Sequence, residues 1–271
     1  MKLIFLDIDG TLTEPGSMVP PDSAVEAIRK TREKGNRVFL CTGRNRGMAA
    51  PLMKYGMDGM VSLAGGFVTA FDEVLYDCPM DYELFQRTLK ILHEDGVFCT
   101  VECRDESFCD PDIGILIDGA ERGNSELERW RKMINENLNI RPLEEYEGQP
   151  VYKIVVMYTD QEQIRRAEEL AGKDFDFVMQ QDVQGVHNGE LINRAYDKGR
   201  GILRVCSYTG VPVSETFGFG DSMNDLSMIE TVGTSICMSN GDPRLKERCD
   251  MVCPSVTEDG LYKAFSHLGL I

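Results

Sequence analysis

The chain has 271 residues, 42% of them hydrophobic and 27% charged, the length of one large domain or two modest ones and the balance of a globular protein. No apolar run reaches the ~20 residues of a membrane-spanning helix, and a formal charge of −16 repels nucleic acid and anionic lipid, so neither is expected as a partner. Nine cysteines, an odd number with no Cys-x-x-Cys pair, read as reduced thiols rather than disulfides or a zinc site.

The elements follow in chain order. Lys2–Leu6 is a short apolar run, as expected for a parallel strand buried on both faces. Asp7 and Asp9 end it too early for a signal peptide, whose apolar core takes about 7–15 residues, and the protein is expected in the cytoplasm. Pro21–Glu33 reads as a helix with an Ala24, Ala27, Ile28 stripe and a stop at Gly35. Arg37–Cys41 is a second strand running into Thr42-Gly43-Arg44; Met48–Tyr55 reads as helix and Met60–Leu63 as a third strand. In the middle, Val97–Val101, Ile113–Ile117 and Val151–Tyr158 read as strands, Asn124–Asn137 and Gln161–Ala171 as helices, and Phe175–Gln180 and Gly185–Leu191 as further strands. The last third returns to the first rhythm. Lys198–Tyr208 is helical, Thr216–Gly220 is a strand ending at Asp221, Asp225–Thr231 is helical, and Thr234–Met238 and Asp250–Cys253 are short strands. Repeated strand–helix units predict an α/β core, a parallel sheet with helices on both faces, interrupted by an α+β block. The expected division is a discontinuous core, 1–80 and 189–271, and an insert, 81–188.

In open parallel sheets, ligand sites lie at the carboxyl ends of the strands. Three predicted strands end in reactive sequences: Asp7-Ile-Asp9-Gly10-Thr11, Thr42-Gly43-Arg44 and Gly220-Asp221-Ser-Met-Asn224-Asp225. Asp7, Asp9, Asp221 and Asp225 would converge there, and four carboxylates without compensation repel one another. A hard divalent cation relieves that repulsion, and all-oxygen ligands suit Mg²⁺. Thr42 offers a hydroxyl and Gly43 an unobstructed backbone N–H to a phosphate; Lys198, at the start of its helix, offers a fixed positive charge. Gly10 allows a sharp turn after the first strand. Each motif alone reads as readily as a turn, a helix cap or a solvated lysine. Their order and their shared position at strand ends point to one site.

These motifs resemble those of the haloacid dehalogenase-like (HAD) phosphohydrolase superfamily. The matching residues are Asp7-Ile-Asp9-Gly-Thr, Thr42-Gly43, Lys198 and Gly220-Asp221-Ser-Met-Asn224-Asp225. Their separations, the long insert and the trailing Glu258-Asp-Gly260-Leu resemble the Cof-type, subfamily IIB, group. The resemblance implies a Rossmann-like three-layer α/β/α core with an inserted C2B-type α+β cap that selects substrate. It implies a Mg²⁺-dependent phosphatase of small phosphorylated metabolites, sugar phosphates or phosphorylated cofactors. Asp7 would be the nucleophile that carries the phosphoryl group, and Asp9 the acid and base, its backbone carbonyl also binding metal. Asp7 and Asp221 would bind the metal directly, and Asp225 directly or through water. Thr42, Gly43, Lys198 and Asn224 would hold the phosphoryl oxygens. A monomer or weak homodimer is expected. The sequence departs from the group at Ala64-Gly65-Gly66, where a side-chain amide is often found, and in placing Asp197 beside Lys198, where it would face solvent or lower the local positive field.

Other readings are weaker. No Gly-x-Ser-x-Gly occurs, which argues against a serine hydrolase. His93 and His267 fall in predicted helices and read as structural; His187 and Glu190 lie near the junction of insert and core, where a substrate contact competes with an ordinary loop role. Phe98, Phe108, Tyr152 and Tyr158 read as core of the insert. A sugar phosphomutase on the same scaffold and a non-enzymatic sensor of phosphate ligands remain as alternatives. The identity of the substrate is not written in the sequence of the insert.

Overall fold

The structure is a computed structural model and describes residues 1–111, 140–183 and 186–271. The helix expected at Asn124–Asn137 and the strand expected at Ile113–Ile117 lie outside the described residues. In chain order the strands are β1 (Leu3–Leu6), β2 (Arg37–Cys41), β3 (Gly59–Ser62), β4 (Phe67–Ala70), β5 (Glu73–Asp77), β6 (Phe98–Cys103), β7 (Ser107–Cys109), β8 (Ile140–Pro142), β9 (Val151–Tyr158), β10 (Phe175–Val183), β11 (Val186–Asn193), β12 (Thr216–Gly220), β13 (Thr234–Met238) and β14 (Met251–Cys253). They form two sheets, and the chain divides into two compact units, one with residues 1–44, 49–77 and 196–271, the other with residues 45–48 and 78–195.

The first sheet has the order β14-β13-β12-β1-β2-β3-β4-β5. From β14 to β3 every pairing is parallel; β4 and β5 add an antiparallel edge. The central strands are buried along their whole length, which explains their unbroken apolar sequences: Leu-Ile-Phe-Leu in β1 has no polar face because neither face meets water. On one side Ile4 and Leu6 pack with Ala24, Ala27 and Ile28 of the Asp22–Glu33 helix and with Ala264 and Phe265 of the Gly260–His267 helix. On the other, Leu3 and Phe5 pack with Ile202 and Val205 of the Lys198–Thr209 helix. This is the α/β arrangement expected, and each buried Leu, Ile, Val or Phe side chain among these stabilises the fold by roughly 1.5–3 kcal/mol.

Two local expectations change. The single helix expected over Met48–Tyr55 is a short α-helical turn, Arg46–Ala49, followed by a 3₁₀ segment, Ala50–Tyr55. Pro51 lacks the amide hydrogen an α-helix needs. The β4–β5 hairpin was not anticipated. Its outer strand, Glu73-Val-Leu-Tyr-Asp, is half to fully exposed and carries none of the apolar continuity of the central strands.

The second sheet has the order β10-β11-β9-β6-β7-β8 and is antiparallel apart from the β7–β8 pair. Two helices, Tyr82–Glu94 and Glu162–Ala171, contribute Phe85, Leu92, Ile164 and Ala167 to one apolar cluster with Val101, Phe108, Ile154 and Leu191 of this sheet. Asp81 caps the first of these helices, its side chain accepting from the Leu84 amide. The division expected at 188/189 falls inside β11, because Gly189–Ile192 stay hydrogen-bonded to β9. Among the described residues no helix is long and apolar enough to cross a membrane.

Candidate active site

β1 lies between β12 and β2, all three parallel and in register, with Leu6 opposite both Phe219 and Leu40. The chain therefore leaves three neighbouring strands on the same edge, at Asp7, at Thr42 and at Asp221. Asp7 extends the strand by one more pairing, its amide donating to Phe219 O at 3.0 Å. The chain then reverses within a tight loop: Leu12 N donates to Asp7 O at 3.2 Å and Gly10 N to Thr13 O at 2.8 Å. Gly10 has φ +83°, and a Cβ there would lie 2.4 Å from Asp221 Oδ2. Glycine is required on both counts, for the turn and for the approach of the Asp221 carboxylate.

Asp7, Asp221 and Asp225 each bring a carboxylate oxygen within 4.8 Å of the others. Asp225 is fully buried and acts as an internal cap; its Oδ2 accepts from the amides of Asp221 at 3.0 Å and Ser222 at 3.1 Å. Its Oδ1 faces Lys198 Nζ at 2.5 Å, and the same ammonium donates to Asp7 Oδ1 at 2.7 Å and Asn224 Oδ1 at 3.3 Å. Lys198 is 1% exposed. The helix it begins is capped by Asp197, whose Oδ1 accepts from Arg200 N at 2.7 Å. Asp197 faces solvent, as expected, its side chain 39% exposed and paired with Arg200 at 3.3 Å, and it also starts the helix that carries the lysine. Gly65, in the Ala64-Gly65-Gly66 departure, has φ +102° and would place a Cβ 2.2 Å from Asp197 O.

The electrostatics follow from burial. Removal from water and the neighbouring Asp225 push the Asp7 carboxyl up to about 7. Burial, Asp7 and Asp225 push Asp221 up to about 9. Burial alone would lower the Lys198 ammonium, but Asp225 and Asp7 outweigh it and hold it above its ordinary value. Once all are ionised, three carboxylates around one ammonium carry two negative charges in excess, the charge that one divalent cation neutralises. The donors are all oxygen, which fits Mg²⁺ and not a soft metal.

The remaining residues divide. Thr42 is buried, its Oγ1 accepting from Arg44 N at 3.1 Å, which leaves its own hydroxyl hydrogen for a ligand. Gly43 follows it at the same strand end, with no heavy atom within 4 Å of a Cβ built there. The Asp9 carboxylate stands beside the three clustered carboxylates, near enough for its charge to raise Asp7 and Asp221. Arg44 Nε and Nη2 grip its two oxygens at 2.8 and 2.6 Å, and Gly16 N donates to it at 2.8 Å. The grip of Arg44 was not foreseen, although Arg44 stood in the quoted motif. Two other neighbours were missed. Thr11 Oγ1 donates to Asp221 Oδ1 at 3.4 Å, and Asn240 Nδ2 donates to Gly10 O at 3.0 Å. Asn240 lies two residues past the end of β13, so the strand-end rule applied to one more strand finds it.

In the second unit, His187 lies against the Tyr158 ring, centroids 5.1 Å apart, and His93 pairs with Asp110 at 3.1 Å. His267 ends the Gly260–His267 helix. Phe108, Tyr152 and Tyr158 are buried, as core residues are.

A family model described as haloacid dehalogenase-like hydrolase matches residues 4–265. The chain is 28% identical over 275 residues to the putative phosphatase YkrA of Bacillus subtilis, an alignment covering 100% of this chain and 98% of that one. It is 24% identical over 279 residues to the 5-amino-6-(5-phospho-D-ribitylamino)uracil phosphatase YwtE of the same organism, covering 96% of each. A solved structure from Geobacillus kaustophilus superposes with a TM-score of 0.82 at 25% identity, covering 100% of this chain and 99% of that one.

Proposed function

The chain belongs to the haloacid dehalogenase-like hydrolase family, and from that membership we propose that it is a Mg²⁺-dependent phosphatase of small phosphorylated metabolites working through an aspartyl-phosphate on Asp7. The observation that carries this reading is the buried Lys198 ammonium, held between the Asp7 and Asp225 carboxylates next to Asp221. Such a cluster is costly to bury unless it serves a charged ligand.

In this reading an Asp7 carboxylate oxygen attacks phosphorus and the bond to the ester oxygen breaks. Asp9 delivers a proton to the leaving alcohol. It then takes a proton from water, which attacks the aspartyl-phosphate, releases inorganic phosphate and restores Asp7. Lys198 lowers the repulsion between the anionic nucleophile and the anionic ester, and with Thr42, Gly43 and Asn224 it holds the phosphoryl oxygens. Asp7, Asp221 and Asp225 would hold the metal, together with the backbone carbonyl of Asp9; when bound, the ion supplies charge neutralisation at the phosphoryl oxygens. Arg44 fixes Asp9 in the present arrangement, so Asp9 must loosen from Arg44 to move a proton. The second unit is assigned the selection of substrate. The reading also places the protein in the cytoplasm, where such metabolites are found.

The test is release of inorganic phosphate from 4-nitrophenyl phosphate and a panel of phosphorylated metabolites, with Mg²⁺ and with EDTA. Turnover that EDTA abolishes is expected. Equal turnover in EDTA removes the metal from the mechanism, and tight binding without turnover makes the protein a sensor.

A further inference from the structure

The second unit holds a cluster of its own, made of a nitrogen, a sulfur and an oxygen donor. The Tyr82–Glu94 helix ends one residue past His93, and Val97 N donates to Leu92 O at 2.9 Å as the chain turns at Gly96, φ +76°, into β6. The turn brings the end of the helix back over the start of the strand it feeds. β6 and β7 pair antiparallel with Thr100 opposite Cys109, and Asp110 N extends that ladder by donating to Cys99 O at 3.0 Å. Cys99 and Asp110 are therefore opposed and share a face of the sheet. It is the face that packs on the helices, since Cys99 belongs to the apolar cluster with Leu92 and Val97.

His93, Cys99 and Asp110 each bring one donor atom within 4.8 Å of the others. His93 Nε2 lies 3.1 Å from Asp110 Oδ2, and Cys99 N donates to that oxygen at 2.7 Å, which fixes the carboxylate. An ionised carboxylate has lone pairs on both oxygens and can hold the amide and a cation together. Tetrahedral zinc, with bonds of about 2.0–2.3 Å to N, O and S, sets its donors roughly 3.3–3.6 Å apart, so the cluster has to draw in by about 1 Å. A cavity of about 250 Å³ is lined by His93, Gly96, Val97, Phe98, Asp110 and Pro111. Two of the three donors thus border a space with room for water or a small ligand, while Cys99 is 0% exposed.

A histidine–aspartate ion pair at a helix end is complete with two partners and needs neither a thiol within reach nor a cavity against it. Nor is Cys99 a nucleophile served by the histidine: burial and the Asp110 charge push its thiol well above the usual range. We propose that His93, Cys99 and Asp110 form a second metal site, for one borderline-soft divalent cation of the zinc kind, with its cavity side open to water or a small ligand. It makes Cys99 an exception to the reading of the cysteines as plain thiols. Donor chemistry separates it from the first site: Mg²⁺ takes hard oxygen donors, whereas imidazole and thiolate favour zinc and cobalt. On binding, the Cys99 proton, and the second ring proton of His93 where it is present, leave to solvent. The ion ties the end of the Tyr82–Glu94 helix to β6 and to the residue after β7.

The experiment titrates the full, reduced and EDTA-stripped chain with Co²⁺ in excess Mg²⁺, which saturates the all-oxygen site. One equivalent should raise a cobalt–thiolate charge-transfer band in the near ultraviolet. Zn²⁺ added afterwards should bleach it, because zinc has no ligand-field preference to lose in a tetrahedral site. Cys99→Ser should abolish the band, and His93→Ala should weaken Co²⁺ binding by about 10-fold or more. No band in the unaltered chain overturns the site, as does a band that survives Cys99→Ser or keeps its affinity in His93→Ala. If Cys99→Ser does not fold, His93→Ala still decides, since the His93 side chain is 38% exposed and its loss leaves no cavity in the core.

Discussion

The two sheets of this protein carry their polar groups in different places, and the difference follows from how each is covered. The first sheet is parallel apart from its β4–β5 edge, with helices on both faces, so its central strand β1 has only apolar side chains to offer. Whatever reactive groups it presents must sit where the strands end, as Asp7, Thr42 and Asp221 do. The second sheet is mostly antiparallel, and its two described helices pack on one face. That leaves the other face for Glu102, Lys153, Asn188 and Glu190. In the first unit the backbone turns determine which groups meet, with Gly10 making room for Asp221. In the second, strand register does, with Glu102 set opposite Lys153.

The largest expected effect separates the two. Asp7→Asn should lower kcat on 4-nitrophenyl phosphate by about 10⁴-fold or more, because it removes the proposed nucleophile while keeping the side chain's shape. The second sheet should be untouched, and the far-ultraviolet circular dichroism unchanged. Retention of full activity would end the case for Asp7. The mirror experiment is Lys153→Met. Removing the ammonium takes the Lys153 charge away from the buried Glu102 and Glu190, which should cost about 3–5 kcal/mol in the second unit. Denaturant unfolding followed by hydrogen exchange should show Val151–Tyr158 amides losing protection while those of Leu3–Leu6 keep theirs. Equal loss in both would mean that the two units unfold as one.

The same contrast explains what the sequence revealed. β2, β9, β12 and β13 match their expected bounds, and β1 is one residue shorter than its run, because a fully buried strand announces itself by unbroken apolar residues and a polar stop. Asp7, Lys198, Asp221 and Asp225 were legible for a related reason, as short motifs at strand ends and helix starts that need no knowledge of distant pairing. Their roles came from family resemblance, not from the pattern. What stayed hidden depends on pairing across the chain. Arg44 reaches Asp9 across 35 positions, and Lys153 meets Glu190 across 37. No local periodicity encodes either. The β4–β5 edge hairpin was silent because its outer strand has no buried face to leave a mark.

A smaller effect tests the charge balance of the first site. With Asp7 raised to about 7 and Asp221 to about 9 from an ordinary 3.8, the metal-free folded chain retains protons that the unfolded chain has released above about pH 4. Its stability should therefore fall as pH rises from about 4 to about 9, and level off below about 4, where both states are protonated. Mg²⁺ should offset the loss at the alkaline end, by about 2.7 kcal/mol at a hundredfold excess over its dissociation constant. Thermal melts at several pH values in EDTA and in Mg²⁺ check this. A melting temperature in EDTA that climbs across the window would show that the carboxylates are not mutually destabilised.

The smallest expected effect concerns how Lys198 is positioned. Its ammonium is held from the far end by Asp7 and Asp225, and its backbone begins a helix capped by Asp197. If the ion pairs position the lysine, Asp197→Ala should cost only the cap, about 1 kcal/mol, and change kcat less than about threefold. If the helix start positions it, the freed first turn would let the ammonium wander, and kcat should fall by about tenfold or more even where the protein remains folded. The geometry favours the first outcome. Nζ makes three contacts within 3.3 Å, and all of them come from residues outside its own helix. A normal kcat with lowered stability would place the precision of this site in its carboxylates. The helix would then serve to deliver the lysine, and the charges at the strand ends would do the aiming.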